Sequence, residues 1–313
     1  MRGREPPRWP AMPTYRQVID KARGASGLLL DAVIKDHILG YLLAAIAATP
    51  GLGDQLAFKG GTALRKCWFP TYRYSEDLDF TVVAGGSLSD DELTALVQAA
   101  AERAIQLVPD YGARYSLETR ITAPREPHPF GQANVRLVGR APSGAPVTIK
   151  IEITGSDEPI LLPVTARPLL HSFPDEHLSA PIRCYALEEI AAEKVRAGIQ
   201  VRDRLDRFEE RGKVGYAHRV RDVYDLWFLR TSSDAHVDWA AVRRILPAKA
   251  RARNTSWTSA DDFRDPRVQR LYREQWIGRL QGFVELLPSF DDAWDVYSRL
   301  LDEVVATSMD ENT

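Results

Sequence analysis

Cysteine is nearly absent from this chain. Cys67 and Cys184 are the only two, and neither sits in a Cys-x-x-Cys or Cys/His spacing. That excludes a zinc ribbon or a disulfide framework as the organising device. Long apolar runs are also missing. The longest, Ile38 to Ala48, reaches about half of the ~20 residues that cross a bilayer. The first residues carry arginine and proline where a secretory signal needs an apolar stretch. The expected compartment is therefore the cytoplasm, with no membrane partner. Neither sign of charge dominates, with 41 Lys and Arg against 43 Asp and Glu. A nucleic-acid partner would have to be met by a local face rather than by bulk charge. There is no Walker A phosphate loop, no internal repeat and no low-complexity block. The six histidines, His37, His128, His171, His177, His218 and His236, show no ligand or catalytic spacing and are read as structural or surface residues.

What is present is ordinary globular material, 44% hydrophobic and 27% charged, enough for one large domain or two smaller ones. Residues 1–13 read as a disordered lead-in. Apolar residues from Thr14 to Ala48 recur at helical spacing, with Gly24 and Gly27 dividing two helices. A short strand at Leu56–Phe58 precedes Gly60-Gly61-Thr62 and a short helix to about Trp68. Asp77 to Ala84 reads as a strand, and Ser89 with Glu92 as a capping box opening a helix to about Val108. Strands are expected near Tyr115–Thr122, Ala133–Val138 and Val147–Ile153, the last two as a hairpin. Beyond Arg183 the pattern turns helical: Leu187–Arg211, His218–Arg230, Trp239–Leu246, Pro266–Leu287 and Phe290–Ala306. The expected architecture is α/β (α+β): an α/β domain over 14–184, then a mostly helical one over 185–313.

The chemistry centres on Asp77-Leu78-Asp79. Residues i and i+2 of a strand share a face, so Asp77 and Asp79 project together while Leu78, Phe80 and Val82 face the core. Adjacent carboxylates repel unless a cation lies between them, which is the demand of metal-assisted phosphoryl chemistry. Oxygen ligands suit Mg2+, or Mn2+ in its place. In the Val147–Ile153 strand the apolar residues alternate, which sends Glu152 to the polar face. There it is either a third carboxylate of the cluster or a solvated partner of Lys150. The glycines Gly60 and Gly61 let backbone N–H groups approach a phosphate, and Thr62 can cap the following helix. Arg73 is read either as a phosphate ligand or as the structural partner of Glu76 or Asp77. Ser75 is read as an ordinary serine that leads into the strand, or as a regulatory position where a phosphate would repel an incoming triphosphate and crowd the metal site.

Phe58-Lys59-Gly60-Gly61-Thr62-Ala63-Leu64-Arg65-Lys66, followed by Arg73-Tyr74-Ser75-Glu76-Asp77-Leu78-Asp79-Phe80, resembles the AbiEii/AbiGii toxin family. So does Glu193-Lys194 followed by Arg221-Asp222-Val223-Tyr224-Asp225-Leu226. The resemblance runs from about 58 to 230. It implies a polymerase-β-like nucleotidyltransferase core and a toxin from a toxin–antitoxin or phage-defence operon. Such a toxin would transfer a nucleotidyl group from an NTP to an acceptor, in some members the tRNA 3′ end, and would be held in check by a nearby-encoded antitoxin. It also implies that Gly61 and Thr62 hold phosphates and that Asp77 and Asp79 bind metal. Lys194 would contact the triphosphate, and Asp222 would complete the site from the helical half. Read without the resemblance, Lys194 is a solvated helix lysine, and Asp222 and Asp225 pair with structural arginines.

Arg243, Arg244, Lys249, Arg251 and Arg253 form a run without an acid. It is read as a candidate RNA-backbone contact or as a solvated helix end. Trp239 and Trp257 beside it are either stacking surfaces or core anchors. Two other functions fit the same residues. A phosphotransferase or metal nuclease could use the same carboxylates, and the nuclease would need no NTP. An inactive homologue could bind nucleotide only, although the paired Asp77 and Asp79 speak against it.

Overall fold

Two helices, α1 (Tyr15–Arg23) and α2 (Leu30–Ala47), open the fold. The computed structural model describes residues 13–24, 27–86, 89–122, 129–173, 178–209 and 219–305. Residues 1–12 of the expected lead-in lie outside the described residues, as do His128, His177, His218 and the expected helix end at Arg211. Thr14 and Gln17 cap each other's backbone at the start of α1, and Gly24 ends it with a positive φ of 58°. The α2 helix is apolar on almost every side and is correspondingly buried, packed against the sheet and the helix α4 (Asp90–Leu107). Its one buried acid, Asp36, receives Arg65 and Lys66, each at 3.0 Å. Those two cations stand immediately after the glycine loop, so the pairing pins that loop's helix to α2.

The sheet is built from β1 (Leu56–Lys59), β2 (Asp77–Val82), β3 (Ser116–Thr122), β4 (Gln132–Arg140), β5 (Pro146–Thr154), β6 (Thr165–Pro168) and β7 (Pro181–Cys184). Their order is β3-β4-β5-β2-β1-β7-β6. The expected hairpin is β4–β5, and the capping box of Ser89 and Glu92 opens α4. The strands β6 and β7 were not expected. Each is four residues long and bounded by proline, too short for an alternation to show. The β7 strand joins the sheet through one parallel bridge, Phe58 to Cys184, and Tyr185 N–H donates to the Phe58 carbonyl at 3.0 Å. Cys67 and Cys184 are both buried free thiols, and burial, with Cys67 beside it, pushes the Cys184 thiol well up.

The helical half comprises α5 (Leu187–Glu209), α6 (Val220–Thr231), α7 (Trp239–Ala252), α8 (Pro266–Leu280) and α9 (Phe290–Val304). The α7 helix runs through Pro247, where the expected helix stopped. Pro costs one backbone donor. The turns beyond it are held by Lys249, whose ammonium is buried on Glu189 at 2.6 Å and Glu193 at 3.1 Å and donates to the Pro159 carbonyl. Apolar residues of the sheet and of these helices belong to one continuous core. Among the described residues, no helix is long and apolar enough to cross a membrane.

Candidate active site

The central strand β2 pairs antiparallel with β1 and parallel with β5. In that register Asp79 lies between Lys59 and Glu152, and Asp77 lies beside Lys150. Leu78, Phe80, Ile151 and Ile153 are buried on the opposite face. The alternation of apolar residues therefore forces Asp77, Asp79 and Glu152 onto one polar face, as expected. Asp77 is exposed at the mouth and Asp79 is half-buried.

The glycine loop is shaped around these groups. It forms α3 (Gly60–Ala63), which continues directly into a π-helical turn over Leu64–Trp68. Gly60 has φ +81°, and a Cβ there would lie 2.5 Å from Asp79 Oδ2. A Cβ on Gly61 would lie 2.6 Å from Arg73 Nη2. Thr62 Oγ1 donates to the Asp77 carbonyl at 2.5 Å, which joins the loop to the strand that carries the acids.

The electrostatics match crowded carboxylates. Burial, then the charges of Glu152 and Asp77, push Asp79 up to about 7. Burial also raises Asp77, although solvent reaches it, and Glu76 and Glu152 add to the shift against Lys150. Burial would raise Glu152 too, but Lys150 at 2.7 Å and the Gln132 amide at 2.5 Å hold it low. Among the described residues neither Asp77 nor Asp79 makes an ion pair. No group of three or more His, Cys, Asp or Glu among them closes into a ready-made metal cage. The residues that could hold a divalent cation are thus the Asp77–Asp79 pair, with Glu152 adjacent and engaged by Lys150.

The helical half approaches through a buried charge network. Lys194 is not the solvated lysine of the bare sequence reading: it is buried. Its ammonium donates to Asp222 Oδ1 at 2.9 Å and Asp225 Oδ2 at 2.5 Å. Those carboxylates keep it charged against burial. Arg73 pairs with neither Glu76 nor Asp77. Its fork closes on Asp225, Nε to Oδ1 at 2.5 Å and Nη2 to Oδ2 at 2.8 Å. Asp222 Oδ2 has no hydrogen bond and lies 3.6 Å from Arg219.

A profile of the nucleotidyl transferase AbiEii toxin family, a type IV toxin–antitoxin system, matches residues 41–296. The chain belongs to this family. No curated protein sequence matches it. Among solved structures, the nucleotidyltransferase toxin MenT4 from Mycobacterium tuberculosis H37Rv shares the fold with a TM-score of 0.58 at 20% identity. The match covers 96% of this chain and 95% of that one. An antigenic nucleotidyltransferase-like protein from Paracoccidioides brasiliensis matches at a TM-score of 0.34 and 16% identity, over 74% of this chain and 97% of that one.

For this AbiEii-family nucleotidyltransferase, the expected RNA-binding run is not one continuous cationic face. Lys249 points inward, as described above, and Arg253 pairs with Glu158. Arg243, Arg244 and Arg251 remain exposed, while Trp239 and Trp257 are buried. Helical geometry explains the split, because residues that adjoin in sequence leave a helix in different directions. A second buried network escaped sequence reading. Glu158 accepts from Lys59 at 2.6 Å, from Thr81 at 3.2 Å and from Arg253. Lys59 thereby stands beside Asp79 with its charge already matched. No sequence signal marks Glu158, which follows a turn and whose partners lie on β1, on β2 and just past the end of α7.

Proposed function

We propose that the chain transfers a nucleotidyl group from an NTP to the 3′ end of a tRNA, in a reaction that needs Mg2+. The observation that carries this reading is the register Lys59–Asp79–Glu152, which sets three acids of β2 and β5 against a glycine loop crowded onto them. A divalent cation held by Asp77 and Asp79 would supply charge neutralisation for an attacking hydroxyl and a departing pyrophosphate. Glu152, tied to Lys150, orients the polar face next to Asp79. The backbone N–H groups of Gly60, Gly61 and Thr62 offer donors to phosphate oxygens. Lys194 of α5 and Asp222 of α6 meet beside Asp225, the partner of Arg73, and would complete the site from the helical half. Arg73 acts as a positioning residue, because its guanidinium is committed to Asp225 and its flank supports Gly61. Membership of a toxin–antitoxin family makes a cognate antitoxin an expected partner.

Incubation with each labelled NTP in turn, Mg2+ and total cellular RNA tests the reading. Label should enter RNA of tRNA size, and Asp79→Asn should abolish it without loss of fold. Label on protein or a small molecule would remove tRNA as the acceptor. RNA shortening that needs no NTP would instead make the protein a nuclease.

A further inference from the structure

Arg196 is a buried cation that no carboxylate among the described residues meets in an ion pair. It lies on α5, two positions beyond Lys194, and only 7% of its surface is exposed. Among the described residues it makes no ion pair and no hydrogen bond, and its Nη1 is sealed from solvent without a partner. The acids nearby are already committed. Glu158 is taken by Lys59 and Arg253, and Glu193 accepts from Lys249 at 3.1 Å. Two more guanidinium groups, Arg253 and Arg219, add positive charge around it. Burial and these two neighbours push Arg196 down to about 10, against the pull of Glu193 and Glu158.

The position of Arg196 matters as much as its charge. Along α5 from Ile190 to Gln200, only Glu193 and Gln200 are part-exposed, about two turns apart on one stripe. At 3.6 residues per turn, Lys194 and Arg196 flank that stripe on opposite sides. Glu193 feels the charge of Lys59, and Lys59 is the β1 neighbour of Asp79. Of the two cations whose charge reaches Arg196, Arg219 lies 3.6 Å from Asp222 Oδ2 and Arg253 shares Glu158 with Lys59, the β1 neighbour of Asp79, so Arg196 sits between the Lys194–Asp222 pair and the network beside Asp79.

We propose that Arg196 is a phosphate-binding residue of the nucleotide pocket, its unpartnered Nη1 and the rest of its guanidinium made to receive the polyphosphate of an incoming nucleoside triphosphate. The inference rests on the nucleotidyl-transfer reading above. A guanidinium presents paired donors that fit two phosphate oxygens, and a buried charge left unpaired in the free protein gains most from an anion that arrives with its ligand.

The test compares wild type, Arg196→Gln and Arg196→Lys in thermal melts and calorimetric titrations. The ligands are each of the four NTPs and inorganic pyrophosphate, with Mg2+. The wild type should bind and be stabilised by at least one NTP and by pyrophosphate. Arg196→Gln should weaken both by roughly tenfold or more, and Arg196→Lys by less. The ligand-free melting temperature of Arg196→Gln should stay level or rise, since an uncompensated buried charge has gone. In turnover, KM for the NTP should rise and KM for the acceptor RNA should not. If Arg196→Gln melts lower and still binds NTP as the wild type does, Arg196 is structural and the inference is overturned. It is also overturned if only RNA affinity falls, because the seat then belongs to the acceptor. If Arg196→Gln does not fold, unchanged NTP affinity in Arg196→Lys together with unchanged KM overturns it. A wild type that binds neither NTP nor pyrophosphate defeats the nucleotidyl-transfer reading itself, a pattern distinct from a wild type and a variant that bind equally.

Discussion

Arg73 and Asp225, 152 positions apart in sequence, meet as a two-pronged buried ion pair, with the Lys194 ammonium on the same carboxylate. Asp225 is fully buried, and these two cations hold its carboxyl well below the ordinary range against the cost of burial. One acid thus satisfies both a residue that leans on the glycine loop and the buried lysine of α5.

Removing that acid should be costly. Asp225→Ala leaves two buried cations short of a partner, and loss of one member of a buried pair typically costs roughly 3–5 kcal/mol. Urea unfolding should show a drop of this order, larger than for Asp222→Ala, because Asp222 is nearer to solvent and serves Lys194 with one oxygen only. Equal losses for the two variants would mean that the Arg73 pair adds nothing.

Gly60→Ala should damage the site more than the fold. The new methyl meets Asp79 Oδ2 at 2.5 Å, and the backbone must hold φ +81° with a side chain attached. The strain alone is worth about 1–2 kcal/mol, but displacement of Asp79 should abolish transfer and weaken Mg2+ binding. A folded Gly60→Ala protein with normal Mg2+ affinity would show that the loop does not set the position of Asp79.

Acid should loosen the Lys59–Glu158–Arg253 network. Glu158 is held down to about 2; burial opposes this, and Lys59 and Arg253 outweigh it. A depressed folded value means that its contribution is whole above the ordinary glutamate range, near 4.5. It is lost as pH falls from there through about 2. Stability measured against pH should therefore slope more gently over that window in Glu158→Gln than in the wild type. Identical slopes would leave Glu158 without a stabilising charge.

The exposed arginines, and not the whole basic run, should govern RNA affinity. Replacing Arg243, Arg244 and Arg251 together by glutamine should flatten the salt dependence of RNA binding by roughly one unit per lost phosphate contact. Lys249→Ala should lower the melting temperature instead, since it strips the partner from Glu189 and Glu193. An RNA salt slope that is unchanged in the triple variant would make these arginines an ordinary solvated surface.

Sequence reading reached the fold where periodicity is strong. The divided helices at Gly24 and Gly27, the capped α4, the β4–β5 hairpin and the aligned polar faces of β2 and β5 all follow from local pattern. The strands β6 and β7 did not, because four residues beside a proline carry no period. The same limit applies to the site. Asp77, Asp79 and Glu152 are legible because a strand fixes which way each points. Lys194 was visible as a residue but not as a buried one, since its burial depends on Asp222 and Asp225 of another helix. Arg196 gave no signal at all: an arginine on a charged helix looks solvated until its neighbours are known to be spoken for.

The span between Arg73 and Asp225 also bears on how the toxin comes into being. The glycine loop and β2 leave the ribosome long before α6 does. Until α6 is made, Arg73 and Lys194 have no counter-ion, and contacts so distant in sequence form late in folding. A nascent or truncated chain that ends before Asp225 therefore carries Asp77 and Asp79 without the brace for Gly61. The glycine loop is therefore braced only after α6, at Val220–Thr231, has been made, a delay written into the topology itself.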